Sequence, residues 1–102
     1  MHNKTLCPKV EAAFAIISKK WNGLLIHVLL EGPKRFSEIR VLIPELSDKV
    51  LADKLKDLEV AKMVKRKVYT ETPIKVEYVL TNKGRAIKPV LDAIALWASN
   101  WV

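Results

Sequence analysis

Residues 47–67, SDKVLADKLKDLEVAKMVKRK, hold the two adjacent patterns that decide the fold. In the first, Leu51, Leu55 and Leu58 recur at the spacing of one helix face, and Ser47 precedes them as a residue that commonly caps a helix N-terminus. In the second, the period changes to two, with Val64, Arg66 and Val68 alternating with Lys65, Lys67 and Tyr69, which is the period of a strand. The stretch therefore predicts a helix that is followed directly by a basic strand.

The predicted helix has an outer face opposite its leucines. At 100° per residue, polar side chains collect on the side away from Leu51, where a partner can reach them. The residues of this face that we expect to meet bases or phosphates are Ser47, Lys49, Val50, Ala52, Asp53 and Lys56. The lysines suit guanine edges or phosphates, and the small apolar residues suit a thymine methyl group. Asp53 would repel phosphate, so we expect it to pair with a lysine three or four residues away.

A basic hairpin is predicted after this helix. Its strands occupy residues 64–69 and 76–80, and the connection over residues 70–75 is too long for a tight turn. The cations before and within the first strand are Lys62, Lys65, Arg66 and Lys67. A solvated strand face is the ordinary explanation of such a run, but its position beside the outer helix face favours contact with a phosphate backbone. The cations for which we predict phosphate or minor-groove contacts are Arg35, Arg66, Lys67 and Lys75.

The remaining apolar patterns complete the order helix, helix, short helix, helix, hairpin, helix. Helix one begins with Pro8 at its first position, and residues 24–30 predict a second helix that is apolar on every side, with His27 buried in it. The short third helix is stopped by Pro44, because a residue before proline avoids the helical conformation. Thr81 caps one last helix. The fold class is mainly α with a small β-hairpin, arranged as a winged helix-turn-helix.

Length and charge limit the classes of function. One hydrophobic core suits 102 residues, so we expect a single domain over residues 1–102. The formal net charge of +7 indicates an acidic partner such as nucleic acid. The longest uncharged stretches are ten residues, too short to cross a bilayer, and no secretory signal pattern is present. A cytoplasmic protein without a membrane segment is expected.

Apolar residues near the two ends of the chain predict a homodimer. The residues concerned are Phe14 and Ile17 of helix one and Leu91, Ile94, Trp97 and Trp101 of the last helix. Together these residues have more apolar surface than a domain of this size can easily bury. In the alternative, both tryptophans cover the core of their own chain. In a dimer, two recognition helices would enter successive major grooves about 34 Å apart on an imperfect palindrome of double-stranded DNA.

Cys7 is the single cysteine, so no intrachain disulfide is possible. It precedes Pro8 at the predicted N-cap of helix one, with Lys4 and Lys9 nearby, and the helix dipole and these cations favour the reactive thiolate. A small apolar residue packed at a subunit interface explains it equally well. The sequence contains no motif of a hydrolase, a phosphate loop, a metalloprotease or a dithiol site, so neither enzymatic activity nor a metal or cofactor is expected.

Several local sequences occur in a characteristic order. They are Cys7-Pro8, Lys20-Trp21, GPKRFSEI at residues 32–39, the helix after Ser47, and ETPIKVEYVLT at residues 71–81 running into Gly84-Arg85. Together they resemble the HxlR-type regulators, a branch of the MarR-like winged-helix transcription factors of bacteria. One departure is Lys62, where the family usually has glycine. If a left-handed residue closes the recognition helix there, Lys62 carries about 1 kcal/mol of strain.

Within that family, the Cys-Pro-Lys of residues 7–9 and the Trp-Asn-Gly of residues 21–23 look most like the redox- and quinone-responsive repressors of Gram-positive bacteria. This resemblance implies that Cys7 senses an oxidant, a quinone or another electrophile. The products open to it are a sulfenic acid, a mixed disulfide, an adduct, or a Cys7–Cys7 bridge between subunits. Two alternatives stay open: an aromatic effector bound near Trp21 and Trp97, and a winged helix that binds protein.

Overall fold

Six helices and one antiparallel hairpin make up residues 7–102, the part of the chain that the computed structural model describes. The helices are α1 (Pro8–Ile17), α2 (Asn22–Leu29), α3 (Phe36–Leu42), α4 (Asp48–Val60), α5 (Asn82–Arg85) and α6 (Lys88–Trp101). The strands, β1 (Val64–Tyr69) and β2 (Lys75–Leu80), lie between α4 and α5 in the chain. The predicted fold class is confirmed, with one helix more than expected.

The core lies where α2, α3, α4 and the base of the hairpin meet. Its fully buried side chains are Leu25, Ile26, Ile39, Ile43, Leu51, Leu55 and Leu58. Val64 and Leu80 close it from the first and last positions of the paired strands. The leucine stripe of α4 therefore faces inward as its spacing predicts, and the opposite side of α4 faces solvent.

The second helix is central but not enclosed on every side. Leu24 is 43% exposed and His27 is exposed, so the prediction of a buried His27 is wrong. A run of apolar residues does not by itself tell how many neighbours a helix has, and α2 is covered by the core on one side only. His2 and Lys4 lie outside the described residues.

The single helix predicted after Thr81 is two helices. Thr81 caps the first of them, since its Oγ1 accepts a hydrogen bond from the Gly84 N–H at 3.1 Å. The break follows from Pro89, which has no N–H to donate and whose ring would collide with the carbonyl four residues earlier, at Arg85. The chain turns at residues 86 and 87, and α6 starts at Lys88 with Pro89 in its first turn.

The C-terminus of α4 is closed by a Schellman motif. The Met63 N–H donates to the Leu58 carbonyl at 2.9 Å, and the Lys62 N–H donates to the Glu59 carbonyl at 3.0 Å. Lys62 holds the left-handed position of the motif, with φ 64°. Lys62 therefore has the backbone strain that the sequence predicts, because glycine is the residue that adopts this conformation without cost.

Side-chain hydrogen bonds join the start of α5 to the end of α4. Thr81 Oγ1 donates to the Lys62 carbonyl at 2.6 Å, and Lys83 Nζ donates to the Ala61 carbonyl at 2.7 Å. Gly84 is buried against the Met63 carbonyl. The helix that follows the hairpin is thus attached to the last turn of α4.

In the hairpin, Val64 pairs with Leu80 and Tyr69 with Lys75, so β2 begins one residue earlier than predicted. A short bridge between Lys34 and Tyr78 adds a third segment to the edge of β2. The Lys34 N–H donates to the Tyr78 carbonyl at 3.0 Å, and the Tyr78 N–H donates to the Lys34 carbonyl at 2.8 Å. This bridge ties the chain just before α3 to the hairpin.

The helices α1 and α6 extend away from this core. Neither contains a buried residue, and the principal extents of the molecule are 54 × 31 × 24 Å. The radius of gyration is 15.4 Å, against about 13 Å for a compact domain of 100 residues. No helix among residues 7–102 has both the length and the apolar character needed to span a bilayer.

Candidate nucleic-acid interface

The helix-turn-helix is formed by α3, the turn at residues 43–47, and α4. Ile43, which precedes Pro44, leaves the helical conformation with ψ 73°, so α3 stops where predicted. Arg40 on α3 spans the turn, because its Nε donates to Asp48 Oδ1 at 2.5 Å and its Nη1 donates to the Leu46 carbonyl. The start of α4 is thereby fixed to α3 through a guanidinium that faces a carboxylate.

The cap at Ser47 and the outer face of α4 match the sequence. Ser47 Oγ accepts the Val50 N–H at 3.1 Å, as an N-cap serine does. All six predicted contact residues, Ser47, Lys49, Val50, Ala52, Asp53 and Lys56, are exposed. Asp53 pairs with Lys49 at 3.2 Å, as expected from their i, i+4 spacing. Both side chains are well solvated, so this pair adds little stability and either member can turn toward a partner.

The hairpin divides its cations between two faces. By register, Arg66 lies opposite Tyr78 and on the same face as Val64, which turns toward the core and α4. Lys65 and Lys67 lie on the other face. Of the three cations in β1, only Arg66 therefore lies on the α4 side, since alternate residues of a strand point to opposite sides.

On the opposite face of the hairpin, two lysines lie beside the ring of Tyr69. Lys67 Nζ and Lys75 Nζ lie 5.5 Å and 5.0 Å from the centre of the Tyr69 ring, where cation–π attraction holds them. Lys75 also lies 3.5 Å from Glu77. Because both lysines are near the tip, they extend the basic surface at the end of the hairpin. Arg35 is exposed at the start of α3. In the sequence it is far from the lysines near the hairpin tip.

Cys7 is exposed and occupies the N-cap of α1. Its carbonyl accepts the Glu11 N–H at 2.9 Å, which is the first hydrogen bond of the helix. Its Sγ accepts no cap hydrogen bond from the free N–H groups of the first turn. The thiol therefore faces solvent at the end of a helix that projects from the core.

The apolar residues predicted for a dimer lie on α1 and α6. Phe14 is 59% exposed, Trp97 60% and Trp101 75%, and Ile94 is also exposed. Ile17 and Leu91 are half-buried. The alternative in which both tryptophans cover the core of their own chain is wrong, because α6 leads away from that core.

A cavity of about 350 Å³ lies beside α1. It is lined by Lys9, Ala12, Ala13, Ile16, Ile17, Met63, Lys83, Ala86 and Ile87. Neither Trp21 nor Trp97, the residues near which an aromatic effector is predicted, lines it. The cavity sits instead between α1, the end of α4, and the α5–α6 junction.

Lys62 belongs to the basic run that the sequence predicts beside the phosphate backbone, but the sequence assigns it no contact of its own. It lines a groove between α4 and the hairpin together with Lys56 and Arg66. The two-residue alternation of β1 would have placed Arg66 on the α4 side. Nothing in the local pattern shows where the side chain of a left-handed residue points.

An exposed polar face on the second helix of a helix-turn-helix, flanked by a basic hairpin, defines a winged helix-turn-helix DNA-binding protein. A transcriptional regulator of the MarR family from Enterococcus faecalis V583 has the same fold, with a TM-score of 0.84 at 28% identity over 99% of this chain and 94% of that one. The HxlR-like helix-turn-helix family profile matches residues 16–102, and the chain belongs to this family of transcriptional regulators.

Two of its relatives are redox regulators by description or by the forms in which they were solved. The transcriptional regulator YodB of Bacillus subtilis (strain 168) is 52% identical over 97 residues, 95% of this chain and 87% of YodB. Its reduced form has a TM-score of 0.89 at 51% identity over 94% of each chain, and a quinone-bound form has also been solved. The redox regulator HypR, in its oxidised form, has a TM-score of 0.83 at 37% identity over 92% of this chain and 96% of HypR.

Proposed function

We propose that two copies of this chain bind a two-fold DNA operator in the cytoplasm as a repressor, and that modification of Cys7 weakens this binding. The observation that carries the DNA part is the exposed outer face of α4 beside Arg66 of the hairpin. A phosphate backbone that runs between these two elements meets cations from both, while the face of α4 reaches base edges. The proposed role is binding alone, without a catalytic step.

The dimer is supported by the exposed apolar surface of α1 and α6. Phe14, Trp97 and Trp101 are each more than half exposed, and aromatic residues are the side chains that most often anchor interfaces. Both helices project from the core, so the same surface on a second copy can pack against them around a two-fold axis. Two recognition helices would then be presented to successive major grooves.

Replacing Ile94 by aspartate should convert the dimer to a monomer. A buried, unpaired carboxylate at the centre of an apolar interface costs several kcal/mol in each subunit. Sedimentation velocity should give twice the 11.6 kDa chain mass for the wild type and the chain mass for the variant. Ile74→Asp is the matched control, because Ile74 is also an exposed isoleucine but lies in the hairpin loop. A wild-type protein that sediments as a monomer at micromolar concentration would contradict the dimer.

The thiol switch is supported by the exposure of Cys7 and by its place in the chain. Cys7 is the N-cap of α1, and α1 carries part of the apolar surface proposed for the dimer. A bridge between two Cys7 residues requires their Cα atoms to come within about 7 Å, and an adduct adds bulk at the same helix end. Either product displaces α1 and with it the second copy. A changed separation of the recognition helices lowers affinity for a two-fold site.

Cys7→Ser should remove the response of DNA binding to oxidants and electrophiles. Fluorescence anisotropy of a labelled duplex, taken from the region upstream of the protein's own gene, measures binding before and after diamide or methyl-benzoquinone. Binding by the wild type should weaken on treatment, whereas binding by Cys7→Ser should stay as tight as for the untreated protein. Wild-type binding that treatment leaves unchanged would assign Cys7 a packing role and leave the DNA part of the proposal intact.

A further inference from the structure

Lys62 occupies a backbone position that disfavours it. Its φ of 64° lies in the left-handed region, where glycine is the preferred residue at the end of a helix. The backbone there is fixed on both sides, because the Lys62 N–H donates to Glu59 at 3.0 Å and the Lys62 carbonyl accepts from Thr81 Oγ1 at 2.6 Å. The lysine side chain therefore extends from a rigid backbone position, and the left-handed φ at this position lowers the stability of the protein.

Lys62 lines a groove between α4 and the hairpin. The groove encloses about 480 Å³ and is lined by Ala52, Lys56, Glu59, Val60, Lys62, Arg66 and Tyr78. Three of these side chains are cations from three separate places, namely the middle of α4, its end, and β1, and one is an acid. Among residues 7–102, none of the three cations takes part in an ion pair. Their charge is left available to an external anion.

We propose that Lys62 is a DNA-binding residue that holds a backbone phosphate in this groove together with Lys56 and Arg66. The inference rests on the proposed DNA binding, and adds a contact to it. Lysine acts on phosphate as a compact charge and carries no sequence information, so this contact strengthens binding to any duplex. The left-handed conformation of Lys62 costs stability. A gain in DNA affinity explains why a lysine nevertheless stands there.

The test uses Lys62→Gly, which removes the charge and the strain together. The two effects have opposite signs, so Lys62→Gly should unfold at a higher temperature than the wild type while binding DNA about tenfold more weakly. Binding should fall by the same factor for the upstream duplex and for a scrambled duplex of equal length. In a dimer, the slope of log affinity against log salt should decrease in magnitude by about 2, one for each lost phosphate contact.

Two further variants separate the proposal from a general effect of charge. Lys62→Arg keeps the charge and the strained backbone, so it should keep the wild-type affinity and salt slope. Lys19→Gln removes one charge at an exposed site beyond the end of α1 and should leave the slope unchanged. If Lys62→Gly binds both duplexes with the wild-type affinity and slope, the assignment of Lys62 is overturned. A wild-type protein that binds neither duplex would instead overturn the proposed function itself.

Discussion

Gly84→Ala should destabilise the protein by at least about 2 kcal/mol and lower its unfolding midpoint by about 10 °C. A Cβ at this position would lie 2.2 Å from the Met63 carbonyl oxygen and 3.0 Å from Leu80 Cδ2. The first distance is far below any real contact, and the atom it meets belongs to the backbone that closes α4. The last turn of α4 and the start of α5 would have to separate, which strains the hydrogen bonds of Thr81 and Lys83.

Gly23→Ala is the matched control for this prediction. Gly23 lies inside α2, and a Cβ there meets no atom within 4 Å. Alanine is about 0.5–1 kcal/mol better than glycine in a helix interior, and Gly23 is in the first turn of α2, so Gly23→Ala should raise stability by no more than that amount. Urea unfolding followed by circular dichroism measures both variants. If Gly84→Ala is as stable as Gly23→Ala, the close approach of α5 to the end of α4 is not present.

Lys56→Glu should weaken DNA binding by about 100-fold or more. Lys56 is exposed on the outer face of α4 and lines the groove shared with the hairpin, so the variant places a carboxylate where a phosphate is proposed to lie. A loss of about 1.4 kcal/mol in each of two subunits gives this factor. Anisotropy titrations at fixed salt measure the affinity, and circular dichroism checks that the fold is retained.

Lys54→Glu is the control on the same helix. It changes the net charge by the same amount, but Lys54 lies about 160° around α4 from Lys56, toward the side that packs on the core. The long-range repulsion is therefore similar and the direct contact is absent, so we expect a loss of less than about tenfold. Equal losses for the two variants would show that DNA responds to overall charge and not to this face of α4.

The elements with a strong period were predictable from sequence. The stripe of Leu51, Leu55 and Leu58 and the cap at Ser47 predicted α4 correctly, and the two-residue alternation predicted the two strands of the hairpin. The exposed state of the outer face of α4 follows from the same geometry, because a helix that buries one stripe must expose the opposite one.

Other features were not predicted, the first although its signal is local and the others because they depend on contacts between distant residues. A cap at Thr81 predicts the start of a helix but not its break, which Pro89 imposes at the α5–α6 junction. The run of apolar residues in α2 does not show that His27 lies on its open side. The groove lined by Lys62 and Arg66 lies where the Schellman motif ends α4 and Thr81 bonds to the Lys62 carbonyl, contacts that join segments distant in the chain.

The salt dependence of wild-type DNA binding tests the central claim most directly. Affinity of the reduced protein for the upstream duplex and for a scrambled duplex is measured by anisotropy between 50 and 200 mM salt. With six to ten phosphate contacts in the dimer, affinity should fall by about 10³ to 10⁵ over this range, and the upstream duplex should bind more tightly at every salt concentration. Absence of binding to either duplex at 50 mM salt would contradict DNA recognition and favour a winged helix that binds protein.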